Sequence, residues 1–199
     1  MATKKGPKYD QIIDAAVTVI AQNGYHQAQV SRIAKEAGVA DGTIYLYFKN
    51  KEDILISLFE EKMGTFVDHI RSKLTEANTI EEELQFLVEM HLKQLAADKN
   101  LAVVTQLELR QSNYKLRQRI NEVLKEYLSV MESIIEKGKA SNVFSQDVND
   151  KLARQMIFGT LDEVTTNWVM KDCKYDLESL SKPVFDMLLQ GFKLREDVL

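Results

Sequence analysis

GVADGTIYLYFKNKEDIL, Gly38 to Leu55, sets two tyrosines either side of a leucine, adds Phe48, and closes on Lys49-Asn50-Lys51 before an apolar run. Residues just upstream, AQVSRIAKEAG, place Val30, Ile33 and Ala34 on one face of a short helix. Gly38 then permits the left-handed turn that ends it, and Val39 is expected to pack inward. Asp41 suits the N-cap of a second helix with Gly42, Thr43 and Ile44 in its first turn. This is helix–turn–helix spacing. Ile44 and Phe48, four apart, face the core, which leaves Thr43, Tyr45 and Tyr47 to face outward. Taken singly, each ring could be ordinary core and each lysine merely solvated. The whole string is what suggests a surface built for a partner.

The chemistry of that surface suits duplex DNA. Gly42 allows close backbone approach, and a helix N-terminus offers unpaired N–H groups to a phosphate. Tyr45 and Tyr47 carry rigid rings with a hydroxyl, and a thymine methyl suits a ring or the Thr43 methyl. Lys49 and Lys51 follow where phosphates would flank the groove, and Lys4, Lys5 and Lys8 could form an arm. The segment resembles the DNA-binding signature of TetR-type transcriptional repressors, G-V-x-x-G-T-[LI]-Y-x-[YH]-F-x-[NS]-K-x-x-L, over residues 8–58. That resemblance implies that Gly42, Thr43 and Tyr45 approach bases, that Tyr47 and Lys51 hold phosphates, and that Ser31 and Arg32 are the next contacts. The sequence departs from the pattern at Gln29, where a Thr or Ser cap is usual, and at acidic Asp41.

Charge is distributed as such a head requires. The 199-residue chain has a net charge of −4, yet residues 1–51 hold seven Lys and Arg against four acids. A basic head on an acidic body is the asymmetry of a chain that meets a polyanion at one end. No apolar run approaches the length of a membrane span, and MATKKGPKYD lacks the apolar centre of a signal peptide. One cysteine, Cys173, and three scattered histidines leave neither an internal disulfide nor zinc spacing, so a cytoplasmic address, no membrane partner and no metal are expected.

The rest reads as all-α. Pro7 and Pro183 are the only prolines, and helical stripes fill the interval: Ile13–Ile20, Phe59–Leu74, Leu84–Leu95, Ile120–Ile134, Ile157–Trp168 and Phe185–Phe192. Breaks fall at Gly24, at Asn78-Thr79 with Glu82 as a capping box, at Asp98–Asn100, at Gly138, and at Asp147 with Asp150. A three-helix head over 1–51 joins a multi-helix ligand-binding and dimerisation body over 52–199, with helices expected at 52–76, 80–97, 101–112, 115–138, 148–171 and 183–195.

By the TetR resemblance, the last two helices, 148–171 and 183–195, build the homodimer interface, and Met156, Phe158, Met170, Val184 and Met187 give them apolar residues on more than one face. The stretches LARQMIFGTLDEVTTNWVM, KYDL and TQLELRQSN are similar to the FadR group of repressors in Gram-positive bacilli. This implies a repressor of fatty-acid degradation genes that binds a palindromic operator and is released by long-chain acyl-CoA, with no further cofactor. Leu87, Met90, Val104, Leu107, Met131, Ile157, Phe158 and Trp168 are candidate walls for the acyl chain. Arg110, among the cations of RQSNYKLRQR, and Arg154 are candidates for the CoA phosphates. Each buried methylene is worth ~0.8 kcal/mol, far more in total than the ~1–3 kcal/mol that coupling between two sites requires. A TetR-type repressor sensing a different hydrophobic molecule is the nearest alternative, with Asp162 and Glu163 as acids for a cationic drug. An enzyme is disfavoured because HExxH, GxSxG and the phosphate-binding glycine loop are all absent.

Overall fold

The computed structural model describes residues 5–193. Among these, nine α-helices and one 3-10 turn make up the regular structure, and the only β-type pairing is a lone bridge between Phe144 and Lys193. The all-α expectation holds. The chain divides into two compact units, one comprising residues up to 64 together with 98–123, the other residues 65–97 and 124 onward.

In the first unit, α1 (Pro7–Gln27) starts on Pro7, whose fixed φ suits a first helical turn. Ile12, Ile13, Ala16, Val17 and Ile20 form its buried face. Gly24 breaks the regular path with φ +71°, so the end of α1 is kinked there. The short helices α2 (Val30–Glu36) and α3 (Asp41–Tyr47) follow, separated by Gly38 in the left-handed conformation the turn demands, φ +64°. Asp41 is not the cap: Ala40 holds that position without a side-chain bond, and Asp41 is the first helical residue, where its charge meets the positive helix end. At the start of α4 (Lys51–Leu74), Asn50 accepts the Asp53 N–H at 2.9 Å while Asp53 accepts the Lys49 N–H at 3.1 Å. Helix α6 (Lys99–Glu108), capped by the Asp98 carboxylate at 2.9 Å from Leu101 N, packs on α1. It ends four residues before the expected boundary, and Asn113 caps the start of α7 (Tyr114–Ala140) through Leu116 N at 3.1 Å.

In the second unit, Thr79 accepts the Glu82 N–H at 3.2 Å and Glu82 accepts the Asn78 N–H at 2.6 Å, which starts α5 (Ile80–Ala97) as the sequence suggested. Helix α8 (Asp150–Met170) is capped by Asn149 through Leu152 N, at 3.1 Å, and not by Asp147 or Asp150. A 3-10 turn (Glu178–Leu180), which carries no periodic signal, leads into α9 (Ser181–Phe192). Helix α5 packs against both α8 and α9, burying Leu84, Leu87, Val88 and Leu92. Near the end of α7 the ring of Phe144 lies so close to Gly138 that any Cβ there would overlap it, and the Gly138 carbonyl accepts the N–H groups of both Val143 and Phe144. Residues 194 and 195 of the expected last helix lie outside the described residues.

Candidate nucleic-acid interface and effector core

The outward face of α3 is assembled by one buried pair. Ile44 and Phe48 are inaccessible, and Phe48 stacks on Tyr9 of α1 with ring centroids 5.2 Å apart. Fixing that face leaves Tyr45 59% exposed and Gly42 in open space. Thr43 is half-buried. Tyr47 is also half-buried, its ring tilted against Tyr9 at 6.2 Å, so it is less outward than its spacing suggests. Ser31 and Arg32 are exposed on α2, and the Arg32 guanidinium donates to Asn23 Oδ1 at 2.7 Å. Gln29 makes no cap bond. Leu46, 78% exposed between the tyrosines, was passed over in the sequence. Its signal was available: it lies off the Ile44–Phe48 face, so no core position accounts for an apolar residue there.

Lys51, the resemblance's phosphate contact, has its ammonium 2.9 Å from the Tyr25 carbonyl and 3.0 Å from that of His26, over the Tyr25 ring. It therefore satisfies carbonyls at the kinked end of α1, as a cation at a helix C-terminus should. Burial foremost, with the charges of Glu52 and Glu108, pushes the Tyr25 phenol up to about 12. Of the proposed arm, Lys4 lies outside the described residues, Lys5 pairs with Glu61, and Lys8 is exposed. The Glu61 carboxylate raises the Lys5 ammonium above its usual range.

The candidate effector residues fall in both units. In the second, Leu87, Met131, Ile157 and Trp168 are buried, while Met90 and Phe158 are half-buried. Trp168 donates its indole N–H to the Tyr175 carbonyl at 2.8 Å. A polar pair sits in this core: His91 Nδ1 lies 2.6 Å from Tyr127 Oη, with the two rings stacked at 5.8 Å. Burial lowers the imidazole to about 4, so it is neutral at pH 7, and raises the phenol well above its ordinary value. Phe66 and Phe158 lie against Tyr127 at 5.1 and 6.4 Å. Arg154 is paired with Glu132 at 2.8 Å. In the first unit Val104 is buried, and Leu107 and Arg110 are exposed. Of the acids considered for a cationic drug, Asp162 is buried, whereas Glu163 is exposed and accepts the Asn167 amide at 2.6 Å.

Helices α8 and α9 carry a second apolar face. Leu152, Met156 and Met170 of α8 and Met187 of α9 are all exposed, and Gly159 opens onto empty space. No helix among the described residues is long and apolar enough to cross a membrane, and no cluster of their His, Cys, Asp and Glu could hold a metal.

A two-helix element that holds Tyr45 and Leu46 out to solvent, in an all-helical chain, defines a helix–turn–helix regulator. The chain belongs to the TetR family of bacterial regulatory proteins, whose family model matches residues 12–58; that of the YsiA-like protein C-terminal region matches residues 59–191. It is 60% identical over 188 residues to the fatty acid metabolism regulator protein of Bacillus subtilis, covering 94% of this chain and 97% of that one. Among solved structures, the fatty acid degradation regulator FadR from Bacillus halodurans is 69% identical with TM-score 0.92, covering 97% of this chain and 99% of the other. FadR from Bacillus subtilis in complex with stearoyl-CoA is 59% identical with TM-score 0.90, covering 92% and 99%. These relatives are transcription regulators, and the chain is a regulator rather than an enzyme.

Proposed function

We propose that this chain is a dimeric transcriptional repressor of fatty-acid degradation genes that binds a palindromic operator and is released by long-chain acyl-CoA, acting in the cytoplasm. The observation that carries the reading is its near full-length similarity to FadR of Bacillus subtilis, whose structure holds stearoyl-CoA. Residues 1–51 form the reading head and 52–199 the effector and dimerisation body. Gly42, Thr43 and Tyr45 approach bases, joined by Leu46, whose exposed side chain suits a thymine methyl. Tyr47, Ser31 and Arg32 meet the backbone, and Lys51 meets phosphate by leaving the carbonyls it caps. Leu152, Met156, Met170 and Met187 supply a sister-chain contact along 148–171 and 183–195.

Release is a shift between two arrangements of the dimer. Two recognition helices fit successive major grooves only about 34 Å apart. An effector that binds only the misaligned arrangement draws the population away from DNA, and reversing a 1:99 balance takes about a 10⁴-fold preference. The acyl chain occupies the second unit's walls, Leu87, Met90, Met131, Ile157, Phe158 and Trp168, with Arg154 toward the CoA phosphates. The test is fluorescence anisotropy with an operator selected from random duplexes by the purified protein. Stearoyl-CoA should release the duplex while free CoA does not; failure of stearoyl-CoA to release it overturns the reading.

A further inference from the structure

Among the described residues, one buried side-chain nitrogen or oxygen has no hydrogen-bond partner, His91 Nε2. The imidazole is 5% exposed in the middle of α5, and its other nitrogen is bonded to Tyr127. Apolar side chains lie along the same stretch of core. Leu87 precedes His91 by one turn, Met131 follows Tyr127 by one turn, and the Phe66 ring meets the imidazole edge-on at 5.7 Å. A buried donor or acceptor left unmatched costs as much as a lost hydrogen bond, and a leucine or phenylalanine would fill the same space without that cost.

The pair also fixes what the open nitrogen can do. A phenol is a far stronger acid than the N–H of a neutral imidazole, so Tyr127 donates to Nδ1 and the remaining ring hydrogen sits on Nε2. Nε2–H is therefore a donor, and it calls for an acceptor. An aliphatic effector offers one near its chain, the acyl carbonyl. Asp162, 6% exposed, lies one turn past Phe158 on α8, and its charge acts on Tyr127. A carboxylate entering this core would lose its hydration and meet that negative charge; a neutral carbonyl meets neither penalty.

Resting on the proposed acyl-CoA reading, we infer that His91 Nε2–H receives the thioester carbonyl of the effector, so that the His91–Tyr127 pair selects a neutral acyl thioester over the free carboxylate. The test removes the carbonyl from the ligand and the imidazole from the protein in turn. Titration calorimetry compares stearoyl-CoA with S-octadecyl-CoA, a thioether carrying CH2 in place of the carbonyl, on the full chain and on His91→Leu. The parent should bind the thioester about tenfold more tightly, and His91→Leu should bind the two alike. His91→Gln, whose amide nitrogen reaches the same point as Nε2, should restore the preference. A parent without preference, or a His91→Leu variant that keeps it, overturns the inference; a parent that binds neither CoA compound overturns the acyl-CoA reading instead. Should His91→Leu fail to fold by its melting curve, the Nε2–H proton resonance of the parent decides. It should move downfield with stearoyl-CoA and stay in place with the thioether, and an unmoved resonance with both overturns the assignment.

Discussion

Glu108 Oε1 accepts the main-chain N–H of Tyr25 at 2.8 Å, so the last residue of α6 closes the kinked end of α1 across 83 positions of chain. The other oxygen of the same carboxylate accepts the Gln111 amide at 2.6 Å, which holds it in place. Glu108→Ala leaves the Tyr25 N–H without its acceptor and should cost about 1–3 kcal/mol of stability. Glu108→Gln keeps an acceptor and should lose about half as much or less. Urea denaturation of both variants checks the difference, and equal losses would remove the hydrogen bond as the cause.

The two tyrosines of α3 should separate by their packing. Tyr45 is exposed, so Tyr45→Ala should weaken operator binding by about 1–3 kcal/mol with a melting temperature close to the parent's. Tyr47 leans on Tyr9, so Tyr47→Ala should lower both affinity and melting temperature. Mobility shift and differential scanning calorimetry on the same preparations read the two effects.

Gly138 reverses an ordinary rule. Alanine for glycine inside a helix usually gains about 0.5–1 kcal/mol, but here the new methyl would occupy the space of the Phe144 ring. Gly138→Ala should therefore destabilise by about 1–3 kcal/mol. Adding Phe144→Leu should recover part of that loss, so that the two changes are non-additive in a denaturation cycle.

His91 makes stability depend on pH. Its ring falls from 6.5 to about 4 on folding, because burial opposes the charged form. Below pH 6.5 the unfolded chain takes up the proton while the folded chain does not, so stability falls as the pH drops from 6.5 toward 4 and then levels off. The full effect is about 3 kcal/mol. Denaturation midpoints across this window should show the loss in the parent, and His91→Leu should lack that component.

The exposed methionines predict assembly. Met156→Glu with Met187→Glu places charge on residues that are open in the single chain, so its fold should survive while pairing fails. Light scattering should then report a monomer, and operator affinity should drop sharply. A persistent dimer would exclude α8 and α9 as the contact.

The fold was largely legible because its helices announce themselves twice, in apolar spacing and in chemistry at their ends. Thr79 with Glu82 and Gly38 with its positive φ are cases where one local rule suffices. Asp41 and Asp147 are misplaced as caps for different reasons. Asp41 is the one polar residue at the start of α3 but already lies inside the helix, whereas several polar residues precede α8 and only the chain's path chooses among them. Asn149 and not either aspartate starts α8, and Ala40 precedes α3. The Glu108–Tyr25 bond and the open nitrogen of His91 could not be read from spacing, since each depends on what lies across from it in space. The 3-10 turn at Glu178–Leu180 is too short to carry a period.

Trp168 is the chain's only tryptophan, and it is buried with its indole N–H held by the Tyr175 carbonyl. All indole emission from the protein thus arises at one water-excluded corner of α8. Unlabelled fluorescence is a single-site optical probe here, and a red shift reports the loosening of the turn after α8 rather than an average over the molecule.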